Sequence, residues 1–222
     1  MSQSRLAWFK QMDWVSWTTA VLIVVLPLPR HWVLIAQPYA GINAVLTDFG
    51  LSVGELVALV LVAGTAVSNV FNAKAQSQKG AKRKRKSIVL TLLGGLTLLT
   101  LLSSVWALDS VLAFQQGMRL LLLFGLVVAV GQRGVNETAV QTGIALSLAV
   151  QAGTALVQFI TQDDLGLRLL GELDLNRYPG GGSILTVGET YWLRSYGLTP
   201  HSNIAGGVLA ALLLLGTAVY LQ

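Results

Sequence analysis

Six stretches of about 20 mostly apolar residues set the architecture of this chain: 14–36, 53–71, 88–108, 111–130, 138–160 and 202–221. A helix of that length crosses a hydrocarbon core of about 30 Å. Only 11% of the residues are charged, 54% are hydrophobic and the mean hydropathy is +0.66, where a soluble domain carries roughly 25% charge. No single water-soluble core could hide this much apolar surface. The sequence therefore predicts an all-α fold, a polytopic transmembrane helix bundle of about six spans, with one long external loop that contains a short β-hairpin. The first stretch is the most interrupted. Pro27, Pro29, Arg30 and His31 predict a bend or an interfacial outer end. It is too long for a cleavable signal peptide and Ala36-Gln37-Pro38 is a poor cleavage site, so it reads as a retained first helix.

Charge sets the orientation. Seven of the fifteen Lys/Arg residues lie between Lys74 and Lys86, and 82–86 is an unbroken basic run. Flanked by two spans, such a run is a topology anchor rather than a nucleic-acid tail. It also suits anionic lipid heads, at about 1 kcal/mol per basic residue near the surface. Placing it in the cytoplasm puts the N-terminus, with Arg5 and Lys10, and the turn with Arg133 inside as well. Ten Lys/Arg then fall inside and four outside (Arg30, Arg168, Arg177 and Arg194), in accord with the positive-inside rule. The organisation is a five-helix region over 1–160 with a basic cytoplasmic loop at 72–87, an external loop over 161–201, and a sixth span over 202–222. Asn136-Glu137-Thr138 matches a glycosylation acceptor but falls on the cytoplasmic side. The sixth span runs to Leu221 with no polar flank, which predicts that this is the N-terminal part of a longer membrane protein.

The chain has no cysteine and two histidines, His31 and His201, without a metal-ligand spacing. Thiolate chemistry is excluded, and neither a metal nor a cofactor is expected. Within the spans, Ser147, Gln151, Thr154 and Gln158 share one helix face that should turn inward. It could supply interhelical hydrogen bonds or form a polar wall beside a substrate path. Arg119 lies two turns into the fourth span, as a functional residue or as one that snorkels to the outer interface. Gly206 with Ala210, and Gly207 with Ala211, would allow close helix packing.

In the loop, 167–175 carries leucines among charges and suggests a short interfacial helix, and 179–182 (Pro-Gly-Gly-Gly) suggests a turn. Two β-branched or aromatic runs, 184–187 and 190–196, are separated by Gly188-Glu189, which predicts a hairpin with a type II′ turn. Thr190, Trp192, Arg194 and Tyr196 would then share one strand face.

Arg194-x-x-Gly197 followed by Pro200-His201-x-Asn203 and a small-residue helix resembles the loop-to-helix junction of the O-antigen ligase and O-antigen polymerase superfamily. The stretch 103–109 (Ser-Ser-Val-Trp-Ala-Leu-Asp) is similar to that family's short external turn. The resemblance implies a polytopic glycosyltransferase of the bacterial inner membrane with a cytoplasmic N-terminus. Its substrates would be a polyprenyl-pyrophosphate-linked glycan and a lipid or glycan acceptor, with membrane lipids around it and no nucleic-acid partner. It implies a catalytic role for Arg194, and the candidate substrate-binding set is Arg194, His201, Asn203, Arg177 and Arg119. His201 is not equated with the family's catalytic histidine, which lies in a later loop.

The chemistry is coherent without the family. A diphosphate leaving group gains charge in the transition state, and a planar guanidinium can grip two of its oxygens. The acceptor hydroxyl would need a general base, for which Asp163, Asp164, Glu172, Asp174 and Glu189 are available. The competing readings are a non-enzymatic transporter or flippase component, for which mid-membrane breaks and repeats would be expected, and a scaffold inactive without its second half. A plain interfacial anchor is the alternative role for Arg194.

Overall fold

The computed structural model describes residues 13–35, 49–76, 88–178 and 182–221. Among these residues the chain is mostly helical, with six α-helices: α1 (Trp14–Val25), α2 (Val53–Gln76), α3 (Ile88–Ser103), α4 (Ser110–Arg133), α5 (Glu137–Thr161) and α6 (Ser202–Tyr220). Two antiparallel pairs accompany them: β1 (His31–Ile35) with β2 (Phe49–Ser52), and β3 (Ile184–Val187) with β4 (Thr190–Leu193). The chain divides into two compact units, one of Met1–Arg30 with Val135–Gln222 and one of His31–Gly134.

Three helical stretches are long and apolar enough to cross a membrane: Ser110–Gln132, Glu137–Thr161 and Ser202–Tyr220. Their lengths and the exposure of residues such as Leu156, Ile160 and Leu214 point to a membrane protein. The other apolar helical stretches, Trp14–Val25, Val53–Asn69 and Ile88–Ser103, are shorter.

The first expected span is the clearest departure. Asp13 caps α1 by accepting the Ser16 N–H at 3.0 Å, and the helix stops at Val25. Twelve residues rise only about 18 Å. Pro27 and Pro29 remove backbone donors, and the apolar run beyond them pairs as strand β1 instead of continuing as helix. An apolar run without periodicity fits strand and helix equally well, which is why composition alone extended the helix. Helix α3 also ends early, at Ser103. The hydroxyls of Ser103 and Ser104 turn back onto the Thr100 and Leu101 carbonyls, each at 2.7 Å, and Asp109 opens α4 by accepting the Leu112 N–H at 2.9 Å.

In the first unit α1 and α6 both pack on α5. Val15, Ser16, Thr19, Ala20 and Leu22 of α1 are buried, as are Ala139, Gly143, Ile144, Ser147, Gln151, Thr154 and Gln158 of α5. Asn136 caps α5 by accepting from Thr138, which gives the glycosylation-like tripeptide a structural role. On α6 the packed positions are Ser202, Ala205 and Leu212. Gly206, Gly207, Ala210 and Ala211 are exposed, so the expected small-residue pairs face away from this contact.

The basic run 82–86, Arg5, Lys10 and the turn residues 179–181 lie outside the described residues, as does 36–48.

Candidate functional site

The polar face of α5 organises the segment that leads into α6. Gln158 has no exposed surface. Its Oε1 accepts the N–H groups of Tyr196 (3.0 Å) and Gly197 (2.9 Å), while its Nε2 donates to the Gly197 carbonyl (3.0 Å) and to Glu172 Oε1 (2.8 Å). Two turns earlier, Gln151 pairs with the backbone of Leu198, accepting its N–H at 2.8 Å and donating to its carbonyl at 3.5 Å. The two primary amides act as strand partners for a loop that has no strand beside it. The inward face expected from the sequence is present, and its glutamines bind loop backbone rather than a neighbouring helix. Gln162, the left-handed cap of α5 (φ 58°), adds a third tie by accepting the Leu193 N–H at 2.7 Å.

Gly197 sits at the centre of this clamp. Its φ is +57°, and a β-carbon there would lie 2.7 Å from Gln151 Oε1 and 3.1 Å from the Gln151 carbonyl oxygen. Gln151 cannot swing aside without releasing Leu198. Gly197→Ala is expected to cost at least about 2 kcal/mol, from left-handed strain plus a lost buried hydrogen bond. Thermal unfolding in detergent should show it as a clear fall in Tm. Gly153→Ala, at an open helical position, should leave Tm unchanged or raise it slightly.

The hairpin follows the expected scheme over β3 and β4. Val187 pairs with Thr190 across Gly188-Glu189. Gly188 has φ +62° and Glu189 is not in the positive-φ region, which is the type II′ pattern. The strand ends at Leu193, however, and Tyr196 does not share the Trp192 face. Tyr196 is buried with Leu193 and Leu175, and its hydroxyl accepts the Ser183 N–H at 2.7 Å. The pull of Gln158 on the 196–197 backbone ends the strand's alternation. The segment 167–175 is also not a helix. A single 3₁₀ turn, Arg168–Leu170, is followed by extended chain that buries Leu175. Glu172 enforces that path by accepting the N–H groups of Leu165 (2.9 Å) and Leu167 (2.6 Å).

Arg194 lies one residue past β4. Its backbone N–H donates to the Ser183 carbonyl at 3.0 Å. Its guanidinium donates to Asn203 Oδ1 at 2.7 Å and, at a long 3.4 Å, to Ser183 Oγ. Both acceptors are neutral, and among the described residues no carboxylate lies within ion-pair distance of it. Arginine carries five N–H donors, and two of its guanidinium nitrogens are engaged by these neutral acceptors among the described residues, near the positive end of α6. His201 is the N-cap of α6. Its Nδ1 accepts the Asn203 N–H at 3.1 Å, which places the proton of the neutral ring on Nε2. His201 is exposed, and its ring is tilted against Tyr196 at 5.7 Å. In that state it presents a donor, which suits an anionic oxygen better than proton abstraction from a hydroxyl.

Arg194, Asn203 and His201 therefore converge. Arg177 does not join them through any contact seen among the described residues. It is exposed, with its guanidinium 5.6 Å from the centroid of the Tyr178 ring. Arg119 belongs to the second unit, where its Nε meets Glu55 Oε1 at 2.6 Å. The pair borders an apolar cavity of about 380 Å³ lined by Leu51, Leu59, Phe114 and Met118. Of the loop carboxylates, Glu172 is buried and engaged with three donors, Asp174 pairs with Arg168 at 3.1 Å, and Asp163 and Asp164 accept local N–H groups. Glu189 is exposed in the hairpin turn. Ser183 is the site member that the sequence reading missed. Only the hairpin register, which sets the residue directly after the glycine run opposite Arg194, could have pointed to it.

No family model, curated protein or solved structure matches this chain.

Proposed function

We propose that this chain is a glycosyltransferase of the O-antigen ligase or polymerase type, which moves a glycan from a polyprenyl-pyrophosphate carrier to an acceptor at the outer face of a bacterial inner membrane. One observation carries the reading: Arg194 is aimed by neutral oxygens, Ser183 Oγ and Asn203 Oδ1, so its charge is left for a ligand. A guanidinium held this way is preorganised for a diphosphate, whose charge grows as the glycosidic bond breaks. His201 Nε2–H stands close in sequence to supply a second donor. The helix N-terminus adds favourable potential. Motif likeness, not geometry, is what narrows a lipid-borne anion to a glycan carrier.

The same proposal includes six membrane crossings, a cytoplasmic N-terminus and an external 161–201 loop. It rests on the excess of Lys/Arg on the cytoplasmic side and on the alternation of spans.

Arg194→Lys keeps the charge and loses the fork. Expected is a fall in glycan transfer of about 10- to 100-fold, the equivalent of one charged hydrogen bond of about 1.5–3 kcal/mol, scored as glycan chains on gels with protein levels matched. Full-length glycan in normal amount would remove Arg194 from the mechanism. The transporter or flippase alternative is favoured by a different observation, the Glu55–Arg119 pair beside its cavity. Under that reading the Glu55 and Arg119 variants, and not the Arg194 variant, would abolish activity.

A further inference from the structure

We infer that the β3–β4 hairpin is a lipid-surface anchor whose Leu185, Val187 and Trp192 face rests in the head-group and upper acyl region of the bilayer. The register pairs Leu185 with Trp192, and the two-residue period of a strand puts Val187 on the same face. These side chains are 55%, 65% and 41% exposed. The base of the opposite face is occupied, since Leu193 packs with Leu175 and Tyr196.

The occupant is identified by continuity. Trp192 stacks on Phe159 of α5, with ring centroids 6.0 Å apart and planes 24° apart. Phe159 is two residues from the end of a helix long and apolar enough to cross a membrane, and its neighbours Leu156 and Ile160 are exposed as well. In a bilayer that side of α5 meets lipid. The stack carries the same apolar surface past the helix end onto the hairpin. Charge agrees, because Glu189 in the turn is the sole charged residue from Ser183 to Leu193. A hairpin this short and apolar, with no lysine or proline guarding its edges, would be an association hazard in water. Tryptophan and tyrosine are the residues that concentrate where hydrocarbon meets head groups. An anchor here would hold Arg194, the next residue after β4, at the depth of lipid-borne phosphate. The inference needs only that α5 lies in a membrane, so its failure would leave the glycan-transfer reading untouched, and the reverse holds too.

The chain has no cysteine, so single cysteines report without background. L185C, T186C and V187C would be made in the full chain, labelled with an environment-sensitive fluorophore, and reconstituted into phosphatidylethanolamine–phosphatidylglycerol vesicles. Expected for L185C and V187C is a blue-shifted emission that loses intensity to a spin label placed near the head-group end of the acyl chain. T186C should emit like a water-exposed probe and lose intensity to iodide. Three results would overturn the anchor: water-like emission at all three sites, equal lipid quenching at all three, or a blue shift at 185 and 187 that lipid spin labels do not quench, which would mean a protein surface covers the face.

Discussion

Gln158→Leu should be the most damaging single change in the first unit. The substituted side chain fills much the same volume and suits an apolar helix, so hydropathy would score it as harmless. The structure says otherwise. Gln158 is completely buried and makes four hydrogen bonds, three to the backbone of Tyr196 and Gly197 and one to Glu172. Leucine would strand the Tyr196 and Gly197 N–H groups and the Gly197 carbonyl. It would also leave a buried carboxylate with two donors instead of three. Each unsatisfied buried group costs about 1–3 kcal/mol, so a loss of about 3–6 kcal/mol is expected after partial relaxation. The readouts are Tm in detergent and the rate at which a protease cuts between 162 and 201. Thr154→Val is the control, because among the described residues its hydroxyl bonds only the Val150 carbonyl of its own helix at 2.7 Å. If Gln158→Leu unfolds at the control's temperature, the clamp does not hold the segment and the placement of Arg194 loses its support.

Arg119→Met is expected to destabilise the second unit by about 1–2 kcal/mol, and adding Glu55→Gln is expected to restore most of the loss. Glu55 has two roles. Its Oε2 accepts the Ser52 N–H while Ser52 Oγ accepts the Glu55 N–H at 3.1 Å, a reciprocal cap at the start of α2. Its Oε1 meets Arg119. Removing the guanidinium alone leaves a part-buried carboxylate beside an apolar cavity. Because the arginine side chain is 37% exposed, the cost lies below that of breaking a fully buried pair, at about 1–2 kcal/mol. Glutamine can still cap the helix and carries no charge, so the double variant removes the electrostatic conflict and keeps the cap. A double-mutant cycle on Tm should therefore show a measurable coupling. Additive losses, with the double variant the least stable of the set, would mean the pair adds nothing beyond its separate side chains. The pair also changes how Arg119 is regarded. A lone intramembrane arginine invites a substrate role, whereas one matched to Glu55 already has a structural partner.

Much of the site could be read in advance, and the part that could not has a common cause. The caps Asp109 and Asn136 were not read from the sequence, where Asn136 appeared only in a glycosylation-type tripeptide; the structure shows each accepting an N–H three residues or fewer along the chain. The type II′ hairpin was legible because Gly188-Glu189 sets its own backbone angles. The seven-residue spacing of Gln151 and Gln158 revealed a polar face, yet gave no hint of what it would bind. A strand period continued past Leu193 would put Tyr196 on the Trp192 face, whereas the strand ends at Leu193 and Tyr196 is buried with Leu193 and Leu175. The carboxylates of the loop looked equivalent until Glu172 proved to be buried among three donors.

Local sums of hydropathy, charge and turn chemistry determine, without any coordinates, that this is a helical membrane protein with a polar segment before its last helix. They also place an arginine, a histidine and an asparagine at that junction. Tertiary structure decided which helical stretches are long enough to cross, that the first apolar run splits into a helix and a strand, and that Arg194 is left without a carboxylate among the described residues. The last of these depends on partners such as Gln158 and Gly197, 39 residues apart. Propensity and periodicity act over a few residues, whereas a buried amide is satisfied by whichever distant backbone the fold delivers to it.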